Sequence, residues 1–348
     1  MDKRLILSVA GSGKTKYIID YTDERRHFLI LTYTTNNLAN IKNRVAAKYG
    51  CIPKNIEIFS YFSFLYSFCF KPFLLNTVGA KGIDFKRKAY IKAGGDARYI
   101  DSYMRVYSYR LAKLLEVKGV MNDVKGRIEK YFDAVLIDEV QDFAGNDFTF
   151  IERIAACNVD LVLVGDYFQH TYDTSRDGRI NENLHADLAR YRARFEAAGV
   201  IVDRNTLSKS YRCSKSVCSF ISERMDVAIG THRDDETQIE YVDNDDGIRG
   251  LLGCGAIIKL FYENGKTYPL NSKNWGDSKG EDHHHNVCVV LNKNTDKLFR
   301  ERRLAELPSR TKNKLYVAIT RTRNNLYFVP ESKVRKLLFR SHIGHPQN

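Results

Sequence analysis

Six consecutive residues, Ala10-Gly11-Ser12-Gly13-Lys14-Thr15, combine the types that grip a polyphosphate. Glycines let successive backbone N–H groups converge on phosphate oxygens, the lysine reaches the terminal phosphates, and the threonine hydroxyl can ligate Mg2+. The strict form of this pattern begins with a glycine, where the chain has Ser8. A second chemistry-bearing set is Asp138-Glu139, in the run Asp138-Glu139-Val140-Gln141-Asp142. Adjacent carboxylates can divide two tasks, one holding Mg2+ through its water shell and the other orienting and deprotonating an attacking water. An acidic pair alone is weak evidence, because such pairs commonly cap helices. Downstream of a phosphate loop it points to nucleotide hydrolysis.

These residues need a scaffold, and the surrounding pattern supplies one. Leu5, Ile6 and Leu7 read as a short buried strand, and the amphipathic stretch Tyr17, Ile18, Ile19, Tyr21 reads as a helix. The loop then sits at a helix N-terminus, where the dipole favours phosphate. The run 132–137 is a strand that delivers Asp138 at its carboxyl end, where ligands bind in open parallel sheets. Further strands are expected at 27–33, 55–59, 160–165, 286–291 and 325–329. Helices are expected at 36–50, 147–157, 181–198, 214–228 and 312–320, and an aromatic-rich helix opens at Ser60. Residues 71–130 break the alternation. The basic piece Lys86-Arg87-Lys88 and a long helical pattern from Tyr99 to Leu115 mark that stretch as a helical insertion. Strands separated by helices predict an α/β fold of parallel sheets covered on both faces.

With 348 residues, 43% hydrophobic and 28% charged, the chain has the composition of a folded soluble protein of two to three domains. No apolar run reaches membrane-span length and no signal peptide is evident, so a cytoplasmic protein without a membrane partner is expected. Seven cysteines without CxxC spacing suggest reduced thiols and no zinc site. A net charge of +13 and a pI near 9.3 point to a polyanionic partner, most simply nucleic acid.

Motif by motif, the chain resembles superfamily 1 DNA helicases of the UvrD/Rep/PcrA type. The segments that carry the resemblance are Ala10–Thr15, Ile30-Leu31-Thr32-Tyr33-Thr34, Ser60-Tyr61-Phe62-Ser63-Phe64 and Asp138–Asp142. They continue with 164–172 (VGDYFQHTY), 210–214 (SYRCS), 277–282 (DSKGED) and 316–323 (YVAITRTR), all in the family's order. The resemblance implies two RecA-like lobes with a small helical insertion in the first. It divides the chain into residues 1–70 and 131–204 as the first lobe, 71–130 as the insertion, 205–335 as the second lobe and 336–348 as a C-terminal tail. ATP and Mg2+ are the implied cofactors. Ala10, Gly11, Ser12, Gly13, Lys14, Thr15 and Lys16 would bind the phosphates, and Thr15 and Asp138 the metal, with Glu139 as catalytic base. Gln169 would sense the γ-phosphate, Arg212 and Arg321 would act as arginine fingers, Tyr211 would stack on the base, and Glu281 would complete the nucleotide site. Tyr33, Thr34, Tyr61, Phe62 and Tyr172 stand where the family contacts DNA, with Tyr33 and Tyr172 as the preferred stackers. For Phe62 a place in the core is an equal expectation.

The implied activity is an ATP-driven 3′–5′ motor on single-stranded or partly duplex DNA. An alternative is a DNA-stimulated ATPase subunit that gates a partner nuclease, as in antiviral defence; a nucleotide switch without motor action is a third. Several departures bear on this. Only seven residues precede Ser8, leaving no room for the family's upstream glutamine motif. Thr174 replaces a stacking tryptophan and Lys16 an arginine. The stretch between Arg212 and Lys279 is too short for the large second-lobe insertion. His283-His284-His285 reads as an exposed turn, because consecutive histidines cannot all face one metal.

Overall fold

The computed structural model describes residues 1–86, 94–171 and 179–343, with side chains as far as Leu338. It divides into two compact units. The first comprises Met1–Leu7, Lys14–Tyr167 and Tyr172–Thr206, and the second Ser8–Gly13, Phe168–Thr171 and Leu207–Asn348. The phosphate-loop residues Ser8–Gly13 thus group with the second unit, although the strand before them and the helix after them belong to the first.

The first unit is built on strands β1 (Lys3–Leu7), β2 (Phe28–Thr32), β3 (Ile56–Ser60), β4 (Ala134–Asp138), β5 (Asp160–Gly165) and β6 (Ile201–Asp203). Their order is β3-β2-β4-β5-β1-β6 and every pairing is parallel. β2 and β4 are buried at every position. Parallel strands covered on both faces have no polar side to show, which is why they read as continuous apolar runs. Leu7 pairs with Gly165 and Asp138 with Val164, so the exits of β1, β4 and β5 lie at one edge of the sheet.

The second unit carries a five-stranded parallel sheet of β7 (Ile239–Tyr241), β8 (Ile258–Phe261), β9 (Ser272–Asn274), β10 (Val287–Leu291) and β11 (Leu326–Pro330), in the order β7-β11-β10-β8-β9. One core holds Val9, Ala10, Trp275 and Tyr316 beside the helices Lys215–Met225 and Ser309–Ile319. Trp275 is fully buried, its indole N–H donating to the Leu260 carbonyl at 2.8 Å and its ring edge-on to Tyr262. Val334 and Leu337, on the helix Glu331–Ile343, pack into a second cluster, so the segment expected to be a tail from 336 continues a helix seated on the core.

The α/β architecture with parallel sheets matches expectation, and two local readings do not. Tyr99–Leu115 is not one helix. It begins just after a 3-10 turn at Gly95–Arg98 and contains a strand Arg105–Tyr107, a second 3-10 turn and the start of helix Leu111–Val117. Short elements with buried aromatics mimic helical spacing, and nothing in the pattern marks the breaks. The aromatic segment after Ser60 runs for one short turn, Tyr61–Ser63, and then widens into a π-helix at Phe64–Phe70 before the helix Lys71–Val78.

Candidate nucleotide site

In the first unit, Lys14 begins the helix Lys14–Tyr21 and its ammonium lies 3.6 Å from the Glu139 carboxylate. Thr15 Oγ1 donates to Asp138 Oδ2 at 3.0 Å. Asn37 Nδ2 donates to the same oxygen at 3.0 Å and to Thr32 Oγ1 at 2.8 Å, bracing the carboxylate from the helix Thr35–Tyr49. Asp138 is fully buried. Burial, then the neighbouring Glu139 charge, push its carboxyl up to about 6, against the opposing pull of Lys14 and the bonds from Asn37 and Thr15. Glu139 adopts φ +57°, a left-handed conformation that costs a non-glycine residue about 1 kcal/mol and turns its side chain off the strand line.

Gln141 locks this arrangement. Its amide nitrogen donates to Glu139 Oε2, and its oxygen accepts the Asp166 N–H at 3.0 Å. Gly165 has to be a glycine here, because a Cβ would meet Gln141 Oε1 at 2.4 Å and Val140 Cγ1 at 2.8 Å. The sequence reading placed no role on Gln141 or Asn37. The first was signalled by its place inside the acidic motif; for the second no signal exists.

In the second unit, the loop Ser8–Gly13 is pinned by backbone bonds. Val9 N–H donates to the Leu207 carbonyl at 3.0 Å, Ala10 N–H to Tyr316 Oη at 3.0 Å, and Tyr211 N–H to the Gly11 carbonyl at 2.9 Å. Gly11 and Gly13 have φ of +72° and +89°. A Cβ on Gly11 would meet Arg212 Cβ at 2.7 Å and Ser210 Oγ at 2.8 Å, so Arg212 stands directly beside the phosphate loop. Arg212 Nη1 donates to the Thr320 carbonyl at 3.1 Å. Arg321 is almost wholly buried and donates to the carbonyls of Val317 at 3.1 Å and Glu281 at 2.8 Å. Gln169 is also buried, on a 3-10 turn that ends in this unit, and Asn313 holds the adjacent His170 carbonyl at 3.0 Å.

Other expected residues fall elsewhere. Lys16 is exposed and paired with Asp20 along its own helix, directed along the surface. The Glu281 carboxylate pairs with Lys273 and, at 2.8 Å, with His284; burial raises its pKa but these partners outweigh it and hold it lowered. Tyr61 is fully buried and donates to Asp147 Oδ1 at 3.1 Å, with Phe143 edge-on at 4.8 Å. Its assignment as a DNA contact is therefore corrected: the motif position puts it in the core, where its ring packs and its hydroxyl satisfies a buried acid. Tyr33 and Phe62 are half-buried and edge-on at 5.4 Å, and Phe62 meets the exposed Phe85 at 5.5 Å. Thr34 is exposed and caps the helix Thr35–Tyr49. Tyr172 and Thr174 lie outside the described residues.

In the first unit, the Thr15 hydroxyl and the Asp138 carboxylate are oxygen ligands of the kind Mg2+ takes. In the second unit, the buried hydroxyls of Ser8 and Ser12 have no hydrogen-bond partner. Residues 97–184, which include Asp138, Glu139 and Gln169, match the family model of the UvrD/REP helicase N-terminal domain. Over that stretch the chain is similar to that helicase domain.

No curated protein matches the chain. Solved structures similar to it include the PRRSV helicase, at 12% identity and TM-score 0.49, covering 94% of this chain and 52% of that one. The arterivirus nonstructural protein 10 helicase is similar alone (16% identity, TM-score 0.48, 96% and 62%) and in its complex with DNA (14%, 0.47, 94% and 60%). The chain thus spans 52–62% of the length of these helicases. Among the described residues no helix is long and apolar enough to cross a membrane.

Proposed function

We propose that the chain is a Mg2+-dependent ATPase that moves along single-stranded DNA in the 3′–5′ sense. The observation that carries this reading is the cluster in the first unit, where Lys14 meets Glu139 and Thr15 meets Asp138 at the exit edge of one parallel sheet. Lys14 binds the terminal phosphates, and Glu139, aimed by its left-handed backbone and held by Gln141, orients the attacking water and takes its proton. Thr15 and Asp138 hold Mg2+, which neutralises charge on the phosphates when bound. Arg212 and Arg321 stabilise charge on the transferred phosphoryl group. Tyr33 and Phe62 stack bases without sequence preference, and the net charge of +13 supports phosphate binding that weakens with salt. The polarity rests on the motif resemblance.

The test is hydrolysis of ATP with and without single-stranded DNA, beside displacement of a strand from duplexes tailed at either end. Hydrolysis stimulated by DNA, displacement only from 3′ tails, and loss of both in Lys14→Ala are expected. Full hydrolysis in Lys14→Ala refutes the site; turnover indifferent to DNA refutes the motor.

A further inference from the structure

In the second unit the motif residue Tyr211 is stacked on His232, a residue that the motif pattern does not include. Two short strands, Lys209–Ser210 and Gly230–Thr231, pair in parallel with Ser210 opposite Thr231. The residues that follow them, Tyr211 and His232, therefore leave the ladder side by side, and His232 N–H donates to the Ser210 carbonyl at 2.9 Å. Their rings lie face to face, centroids 4.1 Å apart and planes within 15°. Tyr211 is 65% exposed. A tyrosine this exposed is free to swing through its rotamers unless something holds it.

Three contacts hold this one. Its backbone N–H is fixed on the Gly11 carbonyl at 2.9 Å. Its ring edge lies beside the phosphate loop, since a Cβ on Gly13 would come within 3.9 Å of Tyr211 Cε2. Arg233 ties the two loops together, donating to the carbonyls of Arg212 and Arg323 while paired with Asp235. One face of the Tyr211 ring is thus covered by the imidazole, and its edge adjoins the glycine that precedes Lys14.

We infer that His232 is a positioning residue for nucleotide binding: it backs one face of Tyr211 so that the other face is presented, flat and fixed, to the base of a nucleoside triphosphate whose phosphates lie on the Gly11–Gly13 loop. This rests on the proposed function, because it deepens the same nucleotide site. The preorganised ring binds a base without first losing its own side-chain freedom, and aromatic stacking adds to that. Stacking depends on ring area, so purine triphosphates gain more from the platform than pyrimidine triphosphates.

The experiment compares wild type, His232→Ala and His232→Phe for steady-state hydrolysis of ATP, GTP, CTP and UTP, with thermal unfolding as the folding control. His232→Ala is expected to raise KM for ATP and GTP about fivefold, with a smaller rise for CTP and UTP and kcat changed less than twofold. His232→Phe, which keeps a flat ring, is expected to restore KM. Unchanged KM in His232→Ala overturns the inference. So does a fall in KM, which would mean that the imidazole occupies the place of the base. If His232→Phe behaves as His232→Ala, the ring is not what acts. A wild-type chain that hydrolyses no triphosphate would overturn the proposed function and this inference with it, whereas normal turnover with an indifferent His232 overturns the inference alone.

Discussion

Replacing Asp138 with asparagine should make the protein more stable at neutral pH while removing the proposed ATP hydrolysis. Asp138 is fully buried, and its carboxyl is pushed up to about 6 from an ordinary value of 3.8. Moving a pKa by one pH unit corresponds to about 1.4 kcal/mol, so holding the ionised form in the folded chain at pH 7 costs about 3 kcal/mol. Because the folded value is raised, the stabilising contribution is present at low pH and is lost as pH rises through 6. Asparagine keeps the shape without the charge. Its oxygen can accept from Thr15 and Asn37, but its NH2 group then faces the Glu139 N–H that donates to Asp138 Oδ1 at 2.9 Å, a loss of about 1 kcal/mol. The net expectation at pH 7 is a gain of about 1–2 kcal/mol for Asp138→Asn. Between pH 7 and pH 5 the folded wild type takes up a proton that the unfolded chain does not, so that advantage should shrink by about 1 kcal/mol. Urea denaturation in EDTA, followed by far-ultraviolet circular dichroism, measures both quantities. An advantage that stays flat from pH 7 to pH 5, or a variant less stable than wild type at pH 7, would refute the reasoning.

The remaining predictions concern neighbours of this site and the proposed nucleic-acid contacts. Gly165→Ala puts a methyl 2.4 Å from Gln141 Oε1, so it should break the bond to Asp166 N–H, cost about 2–3 kcal/mol and lower kcat, with faster hydrogen exchange at the Asp166 amide as the local readout. Tyr61→Phe removes the donor to Asp147 and should cost about 1–2 kcal/mol of stability, yet leave affinity for a labelled oligothymidylate unchanged in fluorescence anisotropy. Tyr33→Ala should weaken that affinity by about tenfold, in keeping with the loss of one stacked base, and an unchanged affinity would return Tyr33 to the core.

The half of the first sheet that carries the phosphate-loop and acidic motifs was legible because motif and fold coincide there. Strands β1, β4 and β5 each contain a short apolar run, Leu5–Leu7, Ala134–Ile137 and Leu161–Val164, that leads into a motif at the sheet edge. The strands of the second unit were harder. Lys259 interrupts the apolar run of β8 and is nonetheless buried, its ammonium satisfied by the Cys254 carbonyl, an arrangement no residue pattern announces. Edge strands β7 and β9 are three residues long and only half-buried, too short for a periodicity to form. Tyr61 shows the reverse difficulty. Its motif position suggested a ligand contact, but whether an aromatic after a strand faces solvent or core depends on tertiary neighbours such as Asp147 and Phe143, which lie more than 80 residues away.

The chain has one tryptophan, and Trp275 is sealed inside the sheet of the second unit. Light absorbed at 295 nm is therefore emitted from a single known place, with a blue emission maximum for as long as that sheet holds. When it opens, the emission should move to the red, whereas ellipticity follows the helices of both units. Overlaid, the two melting curves would reveal, without any added label, whether the halves come apart together or one after the other.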